Sequence, residues 1–273
     1  MMYARQVVTA TLAGIMGLVA TALNPEANGA PMNAQQKQYP VVEALVEFQF
    51  DPASPWDMTI PGLLFQELES EFPNREQKRL INQRVEMVAE GPRQTVNIIE
   101  RMQMFSEDRL SLVQVNQHLL TVNRLAPYTK WESFLPSIKT ALAAYLKIAR
   151  PIGLRRVGLR FINKFKMPGE TVEMEEYFGF YPHLEAGLPQ NFVSFGCSVV
   201  IPFGELGGFL NLQLRPDLEH PDVPSTILDL DLFSESVTLD RTIEWVDKAH
   251  TELDVVFSNA ITGKTRALLG WEV

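Results

Sequence analysis

The sequence predicts an α+β domain: a curved antiparallel sheet in two related halves, with helices packed on one face. Three observations carry this. Several short segments alternate apolar and polar residues, which is the pattern of half-buried strands. Two longer segments, Trp131–Ala149 and 239–260, space their apolar residues as amphipathic helices do. The order strand, helix, strands, helix occurs twice, and a meander of strands closed by a long helix favours antiparallel pairing with helices on one side.

The elements follow in order. Val41–Phe50 (VVEALVEFQF) alternates and reads as a strand. Thr59 is a helix cap with Pro61 in the first turn, and Leu64, Leu68 and Phe72 line one face of that helix before Pro73 ends it. Strands are expected over 80–88, 95–105, 110–115 and 119–125, with Glu90-Gly91-Pro92 and Ser106-Glu107-Asp108 supplying turns. In Trp131–Ala149, Phe134, Leu135, Ile138, Leu142, Tyr145 and Leu146 recur at helical spacing, and Pro151 stops the helix. The second half repeats the plan with a strand over 154–165, a short helix over 171–178, and strands over 192–202, 208–214 and 226–233. A helix over 239–260 closes it, with Leu239, Ile243, Val246, Leu253, Val256 and Phe257 facing the core. This element order is similar to the TATA-binding-protein and helix-grip arrangements, with halves 39–150 and 151–273 and residues 1–38 outside the fold.

A sheet covered by helices on one side leaves its other side for function. The segment GLRRVGLRFINKFK places Val157, Leu159, Phe161 and Phe165 on one face and Arg156, Arg160 and Lys164 on the other. The same test assigns Asn97, Arg101 and Gln103 to the polar face of 95–105. Leu112, Gln114 and Asn116 share a face of the next strand, and Phe209, Asn211, Gln213 and Arg215 a face of 208–215. The polar set so assembled is Arg, Lys, Asn and Gln with almost no carboxylate, in a chain of net charge -9. Guanidinium and amide groups suit phosphate or carboxylate oxygens, or base edges. The expected anion-binding residues are therefore Arg101, Gln103, Arg156, Arg160, Lys164, Asn211, Gln213 and Arg215. Only Phe105 and Phe209 are placed to stack on bases.

Other chemistry is thin. The acidic balance opposes duplex binding over the whole surface. The single cysteine, Cys197, excludes an internal disulfide and a cysteine zinc cluster, and its apolar surroundings read as core. None of the four histidines is paired at metal-ligand spacing. His220 lies beside Asp217, Glu219 and Asp222, a group that reads as an exposed turn before it reads as a metal site. Asp229 and Asp231 point to one side of a strand whose alternation with leucines is that of an edge strand with a wet outer face. There is no GxSxG, Walker, GxGxxG or HExxH motif, so no nucleophile, cofactor or metal site is nominated.

The first residues allow three readings. Residues 6–25 carry no charge, Arg5 precedes them, and Ala20-Thr21-Ala22 has the form of a signal-peptide cleavage site, which would make the domain secreted or periplasmic. The alternative favoured here is translation from Met32, running from a short polar tail into the first strand of a cytoplasmic protein. A retained anchor is the third, although an Ala-, Thr- and Gly-rich stretch is a poor membrane span.

The phrases PVVEALVEFQF, LTVNRLAPYTKWESF and IGLRRVGLRFINKF resemble a sporadically distributed prokaryotic family of conserved hypothetical proteins. The likeness covers 39–271 and is most specific at Tyr128, Trp131, Glu132, Arg160 and Asn163. Members begin just before the first phrase, which favours Met32, and sporadic distribution implies an accessory gene product, including one from a defence island. No residue role comes with the resemblance. The functional expectation is a binding module, without membrane attachment of its core, whose sheet face contacts a nucleic acid, a nucleotide or an acidic protein. Two alternatives stay open: a small-molecule binder or enzyme with a pocket between the sheet and the last helix, and a subunit that pairs with a cognate protein or with itself as a homo-oligomer.

Overall fold

The ten residues VVEALVEFQF form β1 (Val41–Phe50), and their alternation decides which side of the sheet becomes the core. Ala44, Val46, Phe48 and Phe50 are buried on one face, while Glu43, Leu45, Glu47 and Gln49 lie on the other. The structure, a computed structural model, describes residues 39–88, 91–169, 171–192, 194–218 and 224–271, and for 80–88 and 91–99 the backbone alone. The readings of residues 1–38, and of the His220 group apart from Asp217, therefore fall outside the described residues.

After β1 come α1 (Ile60–Leu68), β2 (Asn74–Val88), β3 (Gly91–Phe105), β4 (Ser111–Asn116), β5 (Leu119–Leu125) and α2 (Trp131–Ala149). The second half runs β6 (Leu154–Lys166), a single turn α3 (Met174–Tyr177), β7 (Cys197–Phe203), β8 (Gly208–Pro216), β9 (Ser225–Ser234), α4 (Thr242–Ala260) and α5 (Gly263–Leu268). The nine strands form one sheet in the order β2-β3-β4-β5-β1-β6-β9-β8-β7, and every neighbouring pair is antiparallel. In each half the first strand takes the centre and a meander returns to lie beside it, so β1-β5-β4-β3 corresponds to β6-β9-β8-β7. The first half has β2 in addition.

The α+β class and antiparallel sheet thus agree with the sequence reading. Apolar alternates of β1, β4, β5, β6, β8 and β9 join Leu64, Leu68, Phe134, Ile138, Tyr145, Val246 and Leu253 of the helices in one core. Phe50 stacks on Tyr145 with ring centroids 4.3 Å apart.

The differences have physical reasons. Strand β2 begins at Asn74, six residues before the expected 80, because the run NREQKR carries no apolar alternation to announce it. It is the outermost strand of its half, where charge is tolerated and guards the edge. Strand β7 starts at Cys197 rather than at 192, and α5 was not foreseen, being a six-residue helix whose cap, Thr262, accepts from the Thr265 amide. Strand β9 is no edge strand: it lies between β6 and β8, and Asp229 is buried. Cys197 is half-buried at the margin of the core rather than within it.

One contact ties α4 to the middle of the chain. The His250 imidazole of α4 stacks on the Trp131 indole, centroids 4.2 Å apart and planes 10° apart, and that indole donates to Asp247 Oδ1 at 2.8 Å. Burial lowers the histidine pKa below its ordinary value, against the opposing pull of Asp254, Asp247 and Glu132. With the folded pKa depressed, the unfolded chain binds the proton first, so this stabilisation is complete above about pH 6.5 and is lost as pH falls through the folded value. The urea midpoint is therefore expected to drop as pH is lowered from about 7.5 to about 5.5. His250→Gln should remove that part of the slope, and a variant profile parallel to the parent's would contradict it.

Candidate anion-binding sheet face

The face away from the helices carries most of the sheet's polar side chains, and most of these are occupied with one another. On β6, Arg156 Nη1 donates to Glu47 Oε1 at 2.9 Å and Nη2 to Asp231 Oδ2 at 2.9 Å, with the guanidinium 4.4 Å above the Phe233 ring. Arg160 grips Asp229 with both arms, Nε to Oδ1 at 2.8 Å and Nη2 to Oδ2 at 2.5 Å. Lys164 Nζ lies 2.5 Å from Asp217 Oδ2. Each expected cation of the stripe thus has a carboxylate from a neighbouring element. The reading that this face lacks acids is corrected: Glu43 and Glu47 arrive on β1, Asp229 and Asp231 on β9.

The electrostatics follow from burial against pairing. Burial works to lower the Arg160 pKa, but the hydrogen bond and charge of Asp229 more than offset it and the pKa is raised. Asp231 shows the reverse outcome: desolvation raises its carboxyl despite Arg156 and Arg160. Glu43 is likewise raised by burial, although Asn123 Nδ2 donates to it at 2.6 Å. Asn163, facing the helix side, is 1% exposed and donates to the Leu228 carbonyl at 3.2 Å, serving a buried backbone group.

The other half of the face is built from amides. Gln103 Nε2 donates to Gln114 Oε1 at 2.9 Å, Gln114 Nε2 to Asn123 Oδ1 at 3.0 Å, and Asn123 to Glu43, a chain of donors crossing β3, β4, β5 and β1. Arg101 enters at its head, Nη1 to Gln114 Oε1 at 3.3 Å. Arg101 is 4% exposed and no carboxylate lies within ion-pair distance of it among the described residues. Its Nε has no partner, nor do Gln103 Oε1 and Thr121 Oγ1. Burial lowers its pKa, with Glu47 opposing from a distance. Buried polar groups are ordinarily satisfied, so these orphaned atoms set this end of the face apart from the paired arginines of β6.

The eight expected residues do not converge on one point. Arg101 and Gln103 meet at Gln114; Arg156, Arg160 and Lys164 meet acids; Asn211, Gln213 and Arg215 sit on β8. Strands β3 and β8 are six positions apart in the sheet, roughly 29 Å at ~4.8 Å per step. Asn211 is buried with its Oδ1 unpartnered, and Arg215 is exposed. Of the two expected stacking rings, Phe105 is buried beneath the Arg109 guanidinium, 4.1 Å away, and only Phe209 is exposed. Gln114, Thr121, Asn123 and Glu43 complete the network; their signal in the sequence is a polar residue at the central face positions of β4 and β5 and at three of four on β1.

Two surface clefts lie elsewhere. One of about 710 Å³ runs between the start of α1 and the end of α2, crossed by the Lys147–Glu67 ion pair. Another of about 540 Å³ is lined by Ser106, Ser111, Ser133, Ser137, Arg124 and acids that include Glu71. The face of α4 toward the sheet is filled by Trp245, Val246, Ala249 and Leu253 in the apolar core. Among the described residues no three His, Cys, Asp or Glu side chains are grouped to hold a metal ion, and no helix is long and apolar enough to cross a membrane. No family model and no curated protein matches the chain.

The Arg156 bridge depends on a missing side chain. Gly158 stands between Glu47 and Phe233 in the register, and a Cβ there would meet Arg156 Nη1 at 2.7 Å. Gly158→Ala should push the guanidinium off both carboxylates and lower stability by about 1–3 kcal/mol in denaturant unfolding. Arg156→Met in the Gly158→Ala background should then cost little more, whereas fully additive losses would show that the two positions are uncoupled.

Proposed function

We propose that this protein is a binding module that accepts an anionic group of its partner on the polar sheet face, centred on Arg101, Gln103 and Gln114. The observation that carries this reading is the contrast between Arg101 and the other arginines of the face. Arg156 and Arg160 are half-buried and each held by carboxylates, whereas Arg101 is buried with one amide acceptor and a free Nε. A buried guanidinium without a counter-charge is costly, and an incoming phosphate or carboxylate would remove that cost. Donor and acceptor atoms left over on Gln103 and Thr121 would fix the orientation of the group.

The paired cations of β6 take a structural part in this reading, holding β1, β6 and β9 in register. Base stacking has little support from exposed rings here, so a phosphate- or carboxylate-bearing ligand is favoured over recognition of bases. The sporadic distribution of the family that the sequence resembles accords with an accessory role, and a cytoplasmic setting is part of the same proposal.

Inorganic phosphate, a labelled single-stranded oligonucleotide and an oligo-glutamate peptide, titrated separately at low salt, test it. Arg101→Gln should weaken the probe that binds by about 10- to 100-fold, the value of a charge-assisted hydrogen bond or two. Arg215→Gln, at the far margin of the face, should change it less than about threefold, as one screened exposed charge does. Equal binding by the parent and Arg101→Gln, or no binding of any of the three probes, would overturn the proposal.

A further inference from the structure

The two outer edges of the sheet are defended unequally. On β2 the first six residues are Asn74, Arg75, Glu76, Gln77, Lys78 and Arg79, mostly exposed, and a charged edge resists strand pairing. On β7, at the other end, the sequence is CSVVIPF without a single charge. Val199, Val200 and Ile201 are 38%, 60% and 41% exposed, so both faces of this strand present apolar side chains to water. The strand pairs with β8 on its inner side, and no backbone hydrogen bond joins its outer side to another described segment. Exposed apolar surface continues beside it, through Phe209 opposite Pro202 in the register and through Phe192 in the chain leading into the strand.

We infer that β7 is an assembly edge for a second copy of this chain, the two strands pairing antiparallel about a two-fold axis at Val200 to join two sheets into one. An isologous contact sets each residue against its own counterpart, so a charge near the axis would meet a like charge. Strand β7 carries none, which makes it self-compatible in a way β2 is not. Centring on Val200 aligns Val199 with Ile201 of the second copy on one face and Val200 with itself on the other. Pro202, the one residue lacking a donor, falls toward the end of the paired segment, opposite Ser198, and leaves the central amides available. The seven residues extend about 23 Å, and their main-chain bonds would supply register while the valines and isoleucine supply apolar burial. A stable homodimer buries on the order of 800 Å² per copy. That requirement recruits Phe209 and Phe192 beside the strand, the exposed large side chains otherwise unexplained at this end of the sheet. In such a dimer the polar faces of both copies would lie on one continuous surface.

Sedimentation equilibrium of the full chain over about 1–100 µM, with hydrogen exchange of the β7 amides, tests this. A dimer with slowly exchanging β7 amides is expected. Val200→Lys should weaken dimerisation at least about tenfold by placing two like charges at the axis, with an unchanged far-ultraviolet circular dichroism spectrum because Val200 is 60% exposed. Val200→Thr, uncharged and still β-branched, should retain the dimer. A parent that is monomeric throughout, or a dimer that survives Val200→Lys, would overturn the inference. So would a monomer whose β7 amides are already protected, since that outcome assigns the edge to the chain's own first 38 residues.

Discussion

The pairing of the β6 cations with acids from β1 and β9 is the constraint on which the rest of the sheet depends. Strands β1 and β6 are where the two halves meet, and they carry no turn to hold them together. Their shared helix-side face is apolar and would tolerate many registers. The opposite face would not: Arg156 must reach Glu47 on one neighbour and Asp231 on the other, and Arg160 must reach Asp229. Sliding β1 or β9 by one residue sends those carboxylates to the wrong face and leaves half-buried guanidinium groups unpaired. A buried ion pair contributes little net stability against an apolar alternative, but breaking one is costly, so its main effect is to penalise wrong registers.

That role accounts for the composition of the face. Thr121 and Asn123, set among the longer side chains of this face, are each 2% exposed on a side of the sheet remote from the helices. Phe105, Leu112, Ile162 and Ile227 are buried on this side too, yet stand apart from the main core. The result is a second, polar packing layer. Gly158 belongs to it, because a Cβ there would stand 2.7 Å from Arg156 Nη1 where that side chain crosses to both partners.

Local pattern made much of this legible. Alternation found β1, β5, β6, β8 and β9, and helical spacing found α2 and α4 almost to their ends. It also assigned Arg101, Gln103, Arg156, Arg160 and Asn211 to the face they occupy. What alternation cannot carry is which strand lies beside which. Arg156 and Glu47 are 109 residues apart and Arg160 and Asp229 are 69 apart, so their union is a property of topology. Read one strand at a time, Asp229 and Asp231 looked like the wet side of an edge and the arginines looked free. The outer strand β2 was shortened for a related reason: an edge strand has no need of apolar alternation along its charged end.

With the central cations of the face paired to carboxylates, chemistry left for a partner lies toward the margins, and the amide chain shows how. All its donors run one way, from Gln103 through Gln114 and Asn123 to the Glu43 carboxylate, with Arg101 at the head. A polarised chain of this kind strengthens each bond by the next and stabilises positive charge at its head only partly, since the balancing carboxylate is three strands away. Had the sheet needed Arg101 only for packing, a carboxylate on β2 or β4 would have closed the pair as Asp229 does for Arg160. The residue directly across from it on β2 is instead Lys78, whose own counter-charge is Glu76 at 3.7 Å. Like charges opposite one another on adjacent strands are destabilising; Glu76 relieves Lys78, and the proposed anion would supply Arg101 with the counter-charge it lacks within the chain.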